Sequence, residues 1–157
     1  MGYYFAYGAR MSSTHMLQTS PNARAVGPAS LSGFRLEFNV ASRDFGGGAA
    51  NAIPDPTGRL WGVLWEVPDD ELTGFDSFRG DARSDTHGVD LEVEGPQGPV
   101  TARTMMLESR DGFVRPSDTY LNMLHAGARA HGLPSEALDA IDHAERHPNV
   151  PGADADR

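Results

Sequence analysis

The chain has 157 residues, 22 of them acidic and 13 basic, for a formal net charge of -9. That length suits one domain whose core needs no staples. The acidic balance and scattered arginines argue against a nucleic-acid partner, which needs a basic face to neutralise phosphates. There is no cysteine and every Lys/Arg position is arginine, which removes disulfides, thiol nucleophiles, cysteine zinc sites, Schiff-base lysines and the P-loop lysine. No apolar run approaches bilayer length and no basic segment precedes the first hydrophobic residues, so a cytoplasmic protein without membrane contact is expected.

In chain order, Tyr3 to Tyr7 has the composition of a strand, and Gly8 supplies the freedom to turn sharply and let a ligand approach the main chain. Arg10 to Gln18 reads as a short helix. Leu31 to Arg43 places Phe34, Leu36, Phe38 and Val40 on one side and Arg35, Glu37 and Asn39 on the other, the period of a half-buried strand. The glycines at 46 to 48 read as a bend or bulge, since no P-loop residues surround them. PDPTG at 54 to 58 reads as a turn, and the apolar Leu60 to Val67 as a central strand. Glu37 and Glu66, at strand positions, are expected to face outward.

Pro68 and the acidic residues after it open a helix expected to run through Leu72 and Phe75 toward Gly80. Val89 to Glu94 and Val100 to Leu107 read as strands joined by the hairpin signal GPQG. Ser117 caps a helix from Asp118 to about His131, ended by Gly132 and Pro134, and Ser135 caps another from Glu136 to Arg146. Tyr120, Met123, Leu124, Leu138 and Ile141 have helical spacing and belong to the core. His143 and His147 are four apart, but without a third ligand they read as a polar helix end and not a metal site. Strands then helices make an α+β chain whose mixed or antiparallel sheet could close into a small barrel. The expected organisation is a single domain over 1–148 with a disordered tail over 149–157.

Several motifs, in order, resemble the γ-glutamylcyclotransferase-like family. YFAYGARM resembles its opening motif, GGGAANAIPDP its glycine-rich segment, LWGVLWEVPDDEL its central strand and following helix, FDSFRG its Leu-Asp-x-x-Glu-Gly, and PSDTYLNMLHAGARAHGLPSEALDAI its C-terminal helix pair. The resemblance implies a small mixed β-barrel with flanking helices and a C-terminal helix pair. It also implies cyclisation of a γ-glutamyl group: the α-amine attacks the γ-carbonyl, 5-oxoproline forms, and the attached amine leaves. No metal or organic cofactor is implied; the partner is a small-molecule substrate, and the protein is expected as a monomer or homodimer.

By the same resemblance, Tyr7, Gly8, Ala9, Arg10 and Met11 form a cradle for the substrate. Tyr7 and Gly8 match the family, whereas Ala9 stands in place of serine and Arg10 in place of asparagine. Asp76 and Gly80 match, but Arg79 occupies the position of the catalytic glutamate. Arginine stays protonated in proteins and is no general base; it is suited instead to gripping a carboxylate or phosphate. Arg79 therefore either faces an anionic ligand or pairs at the surface with Asp76 or Asp81. Asp85 and His87 follow closely and are candidates to move protons in place of the missing acid. The expected activity is cyclisation or acyl transfer on a γ-glutamyl or related anionic amino-acid-derived substrate; the alternative is a non-catalytic binding protein for an anionic metabolite.

Overall fold

The alternating stretches of the sequence become strands β1 (Gly2–Ala6), β2 (Arg24–Ser42), β3 (Gly47–Val67), β4 (Thr86–Gly95) and β5 (Gly98–Leu107). In this computed structural model they close a barrel in the order β1-β3-β2-β4-β5. The structure describes residues 1–42, 45–73, 86–107 and 112–146, with backbone alone at Thr86, His87, Leu107 and Arg146. Strand β1 pairs antiparallel with β3 and parallel with β5, so the barrel is mixed, as the family resemblance implies. Phe5 of β1 and Val63, Leu64 and Val67 of β3 are almost wholly buried, the last three in the apolar stretch Leu60 to Val67, which pairs with both β1 and β2.

PDPTG does not reverse the chain. Strand β3 runs through it, and the surplus residues are absorbed by a register shift opposite Ser32 to Phe34. A bulge tolerates proline because it leaves a ladder bond unmade. Gly58 is required there: a Cβ would lie 2.4 Å from the Phe34 carbonyl oxygen. The GPQG turn between β4 and β5 forms as expected, with Gly98 at φ +117.

Glycines 46 to 48 have a clearer role than a bend. The chain before the C-terminal helices lies across the β2–β3 hairpin, with the Val114 amide donating to the Phe38 carbonyl and the Gly48 amide to the Arg115 carbonyl, both at 2.9 Å. A Cβ on Gly48 would stand 1.9 Å from the Val114 carbonyl oxygen, so only glycine permits the crossing.

Four α-helices are described: α1 (Ser13–Thr19), α2 (Asp69–Leu72), α3 (Asp118–Ala130) and α4 (Ser135–Arg146). A short 3-10 turn, Ala9–Met11, precedes α1. The expected continuation of α2 to Gly80 lies outside the described residues, as does the tail over 149–157 and the second histidine of the His143–His147 pair. Glu71 of α2 accepts hydrogen bonds from the Ser20 hydroxyl and, at 2.6 Å, from the Asn22 side-chain amide, which hold its carboxyl below the usual range.

Helix α3 starts as the sequence predicts. Ser117 Oγ accepts from the Tyr120 amide at 3.2 Å, and Tyr120, Leu121, Leu124, Gly127 and Ala128 form the buried stripe. Gly132 at φ +75 ends it, with the Leu133 amide bonded back to the Ala128 carbonyl. Ser135 is the first residue of α4 rather than the residue before it. Gly127, in the middle of α3, lets the helix press on the turn near the N-terminus: a Cβ there would be 2.9 Å from the Met11 carbonyl carbon.

Gly127→Ala gains about 1 kcal/mol of helix propensity but overpacks against backbone, at a cost of about 1 to 3 kcal/mol; urea unfolding should show a net loss of about 1 kcal/mol, and a stabilised variant would contradict the contact. His131 packs edge-on against Trp65 at 5.2 Å, and burial holds its imidazole below the ordinary 6.5. Between the two values the unfolded chain binds the proton more readily, so this contribution is complete above about pH 6.5 and is lost as pH falls through the lowered folded value. His131→Gln should flatten this part of the dependence of the urea midpoint on pH, and an unchanged slope would rule the group out as its source.

Candidate functional site

The site is built where β1 ends. Strand alternation carries Phe5 and Tyr7 in succession, with ring centroids 6.2 Å apart. Tyr7 is buried, and its hydroxyl donates to the Met105 carbonyl on β5 at 2.7 Å. Gly8 then turns the chain: its carbonyl accepts from the Met11 amide at 3.0 Å and starts the 3-10 turn. The Ala9 amide precedes that first bond, so the turn itself does not use it.

Helix α3 and strand β3 wall this turn. The Tyr120 hydroxyl accepts from the Ala50 amide at 2.9 Å. A Cβ on Gly8 would lie 3.3 Å from that same hydroxyl and 3.5 Å from Ala50 Cβ. Gly8 thus permits close approach of a phenol to the main chain, the kind of close approach that a ligand turn needs. The Tyr120 ring is fixed between Phe45, with centroids 4.6 Å apart, and Phe38, edge-on at 6.2 Å.

Arg10 is half-buried and reaches back over β1. Its Nη1 donates to the Tyr4 hydroxyl at 3.3 Å, and its guanidinium carbon stands 5.9 Å from the Tyr4 ring centroid. Met11 is 1 % exposed and lies under α3. Ala9, Arg10 and Met11 therefore form the turn itself, with Arg10 contributing a cation and Met11 an apolar anchor.

Three buried phenols converge on this region, and all stay protonated at neutral pH. Burial pushes Tyr4 up, opposed by the Arg10 charge. Burial pushes Tyr7 well up, reinforced by Tyr4 and Tyr120, with the Ala52 amide opposing. Tyr120 is pushed up to about 12 by burial, opposed by its bond from the Ala50 amide. Tyr7 spends its proton on the Met105 carbonyl and the Tyr4 hydroxyl accepts from Arg10, whereas the Tyr120 hydroxyl accepts from the Ala50 amide and keeps a proton that an anionic or carbonyl oxygen can accept.

Of the other residues singled out from sequence, Arg79 and Asp85 lie outside the described residues, as do Asp76 and Asp81. His87 is described by its backbone, which pairs with Met106 in the β4–β5 ladder. Glu66 is ion-paired with Arg24. Glu37 does not face water freely: its side chain is 13 % exposed and accepts from Arg35 and from Asn39, whose Oδ1 accepts from buried Asn51 at 3.2 Å. A period-two pattern assigns a residue to a face but not the cover over that face, so this ladder was not legible in it.

Tyr120 was read from sequence as core, and it is 2 % exposed. Its place at the Gly8 turn is not legible in the sequence, because helical spacing reports the buried stripe and not where a hydroxyl at the end of a ring arrives. The one available signal was an aromatic residue with a polar tip in the first turn of a capped helix. Among the described residues no group of three or more His, Asp or Glu side chains could hold a metal, and no helix is long and apolar enough to cross a membrane.

Comparison with known proteins agrees with this architecture. The γ-glutamylcyclotransferase of Bos taurus is 28 % identical over 147 residues, covering 90 % of this chain and 78 % of that protein. That of Homo sapiens is 27 % identical over the same length, covering 88 % and 78 %. A solved γ-glutamyl cyclotransferase superposes with a TM-score of 0.82 at 25 % identity, covering 90 % of this chain and 86 % of that one. The family model described as the AIG2-like family matches residues 59–143, more than half the chain. This chain belongs to the AIG2-like family and has the γ-glutamylcyclotransferase-like fold.

Proposed function

We propose that this protein is a γ-glutamylcyclotransferase-like enzyme acting on a small γ-glutamyl or related anionic, amino-acid-derived substrate. The observation that carries the reading is the construction of the Gly8 turn. Gly8 stands against the Tyr120 hydroxyl, the Ala9 amide follows it, and Arg10 of the same turn places its guanidinium on Tyr4. Such a turn holds the glutamyl carboxylate or the γ-carbonyl oxygen and keeps the chain folded for attack on itself.

In the reaction the α-amine nitrogen forms a bond to the γ-carbonyl carbon, the bond to the leaving amine breaks, and one proton passes from the attacking to the leaving nitrogen. A group that titrates near neutral pH must carry that proton. The phenols do not, since burial raises both Tyr7 and Tyr120 away from neutrality. Arg79 does not, because it cannot be deprotonated; its role in this proposal is to neutralise or orient an anion. Asp85 or His87 then takes the glutamate's part.

The Arg10 cation beside neutral phenols, with no described proton acceptor among them, also favours a second reading, a non-catalytic protein that binds an anionic metabolite. A mass-spectrometric assay with γ-glutamyl amines, γ-glutamyl dipeptides and glutathione separates the two. The enzyme reading expects 5-oxoproline, its loss in Gly8→Val, whose Cβ would stand 3.3 Å from the Tyr120 hydroxyl and crowd the turn, and a fall in kcat of about 100-fold or more in Asp85→Asn or His87→Gln. No product from any of these, with thermal stabilisation by small anions, would overturn it in favour of the binding reading. Arg79→Glu should raise 5-oxoproline formation if a base is the one element the pocket lacks; no gain would mean that the pocket differs from the family elsewhere as well.

A further inference from the structure

We infer that Ser117 is a positioning residue for this site, acting through Phe45 and Tyr120; the inference rests on the reading of the Gly8 turn as the ligand site. Ser117 makes two bonds with one hydroxyl. It accepts from the Tyr120 amide at 3.2 Å and donates to the Phe45 carbonyl at 2.8 Å. Capping α3 needs only the accepted bond, which an aspartate makes as well as a serine. The donated bond is a separate connection, between the first turn of α3 and the tip of the β2–β3 hairpin.

Both ends of that connection reach the same phenol. Tyr120 is in the first turn of α3, three residues after Ser117, and its ring lies 4.6 Å from that of Phe45. The hairpin supplies the other contacts too: Phe38 packs edge-on, and the Ala50 amide donates to the Tyr120 hydroxyl. The crossing chain adds the Val114 to Phe38 and Gly48 to Arg115 bonds just before the cap. Ser117 closes this set of contacts, so that hairpin and helix move as one body and the Tyr120 hydroxyl keeps its place beside Gly8. Cut the donated bond, and Phe45 loses its anchor on α3 while the helix keeps its cap.

Three substitutions separate positioning from capping. Ser117→Thr retains donor and acceptor. Ser117→Ala loses both. Ser117→Asp keeps the cap, yet its ionised carboxylate has no proton to donate and is repelled by the Phe45 carbonyl. Two readouts are taken on the full chain: the ζ-carbon resonance of Tyr120 in tyrosine-labelled protein, assigned with Tyr120→Phe, and the affinity for 5-oxoproline. Positioning predicts that threonine matches wild type, while alanine and aspartate both move the resonance and weaken 5-oxoproline binding about tenfold, with the aspartate variant melting within about 2 °C of wild type.

Aspartate that retains both the resonance and the affinity would overturn the proposal and leave Ser117 as a cap alone. So would an alanine variant that melts lower but leaves the resonance in place. A wild-type protein that ignores 5-oxoproline, combined with a Tyr120 resonance that moves in the alanine and aspartate variants, would support the positioning role and reject the γ-glutamyl reading of the site.

Discussion

The hydrogen bond from the Ala50 amide to the Tyr120 hydroxyl is the contact on which the site depends. It joins α3 to β3 at the point where β1 runs out, and it fixes what can stand beside Gly8. A buried phenol without a partner would be costly, so the helix can dock only where its tyrosine finds that amide. The rest of the corner is arranged around this requirement: Gly8 lacks a Cβ that would press on the phenol, Gly48 lets the chain before α3 cross the hairpin, and Gly127 lets α3 approach Met11.

Charge at this corner follows from burial. The phenols near the turn are removed from water and remain neutral, and Arg10, held on Tyr4, adds a cation to them. Such a surface favours negative charge without supplying a proton acceptor. In the proposed function this divides the work: the turn would hold and orient the substrate, and proton transfer would fall to Asp85 or His87.

Much of the fold was legible in the sequence because its signals are local. Alternation in Leu36, Phe38 and Val40, the GPQG turn, the Ser117 cap and the Gly132 stop each depend on a few neighbouring residues, and each forms. PDPTG was misread because a proline-rich stretch has the same composition in a bulge as in a reversal, and only pairing with β2 distinguishes them. At the site, the Gly8 turn was legible from its place after an aromatic strand. The Tyr120 phenol and the Glu37–Asn39–Asn51 ladder were not, since each brings together residues far apart in the chain or on a face whose cover is set by the fold. The origin of the Glu37 ladder's cover has no counterpart in any motif.

In the proposed function the Gly8 turn receives the ligand. Backbone amide resonances recorded during a titration with 5-oxoproline test it most directly, because they report the place of binding whether or not the protein turns substrate over. The largest shifts should fall on Gly8, Ala9, Arg10 and Ala50. Shifts concentrated elsewhere, with these four unmoved at saturation, would contradict it.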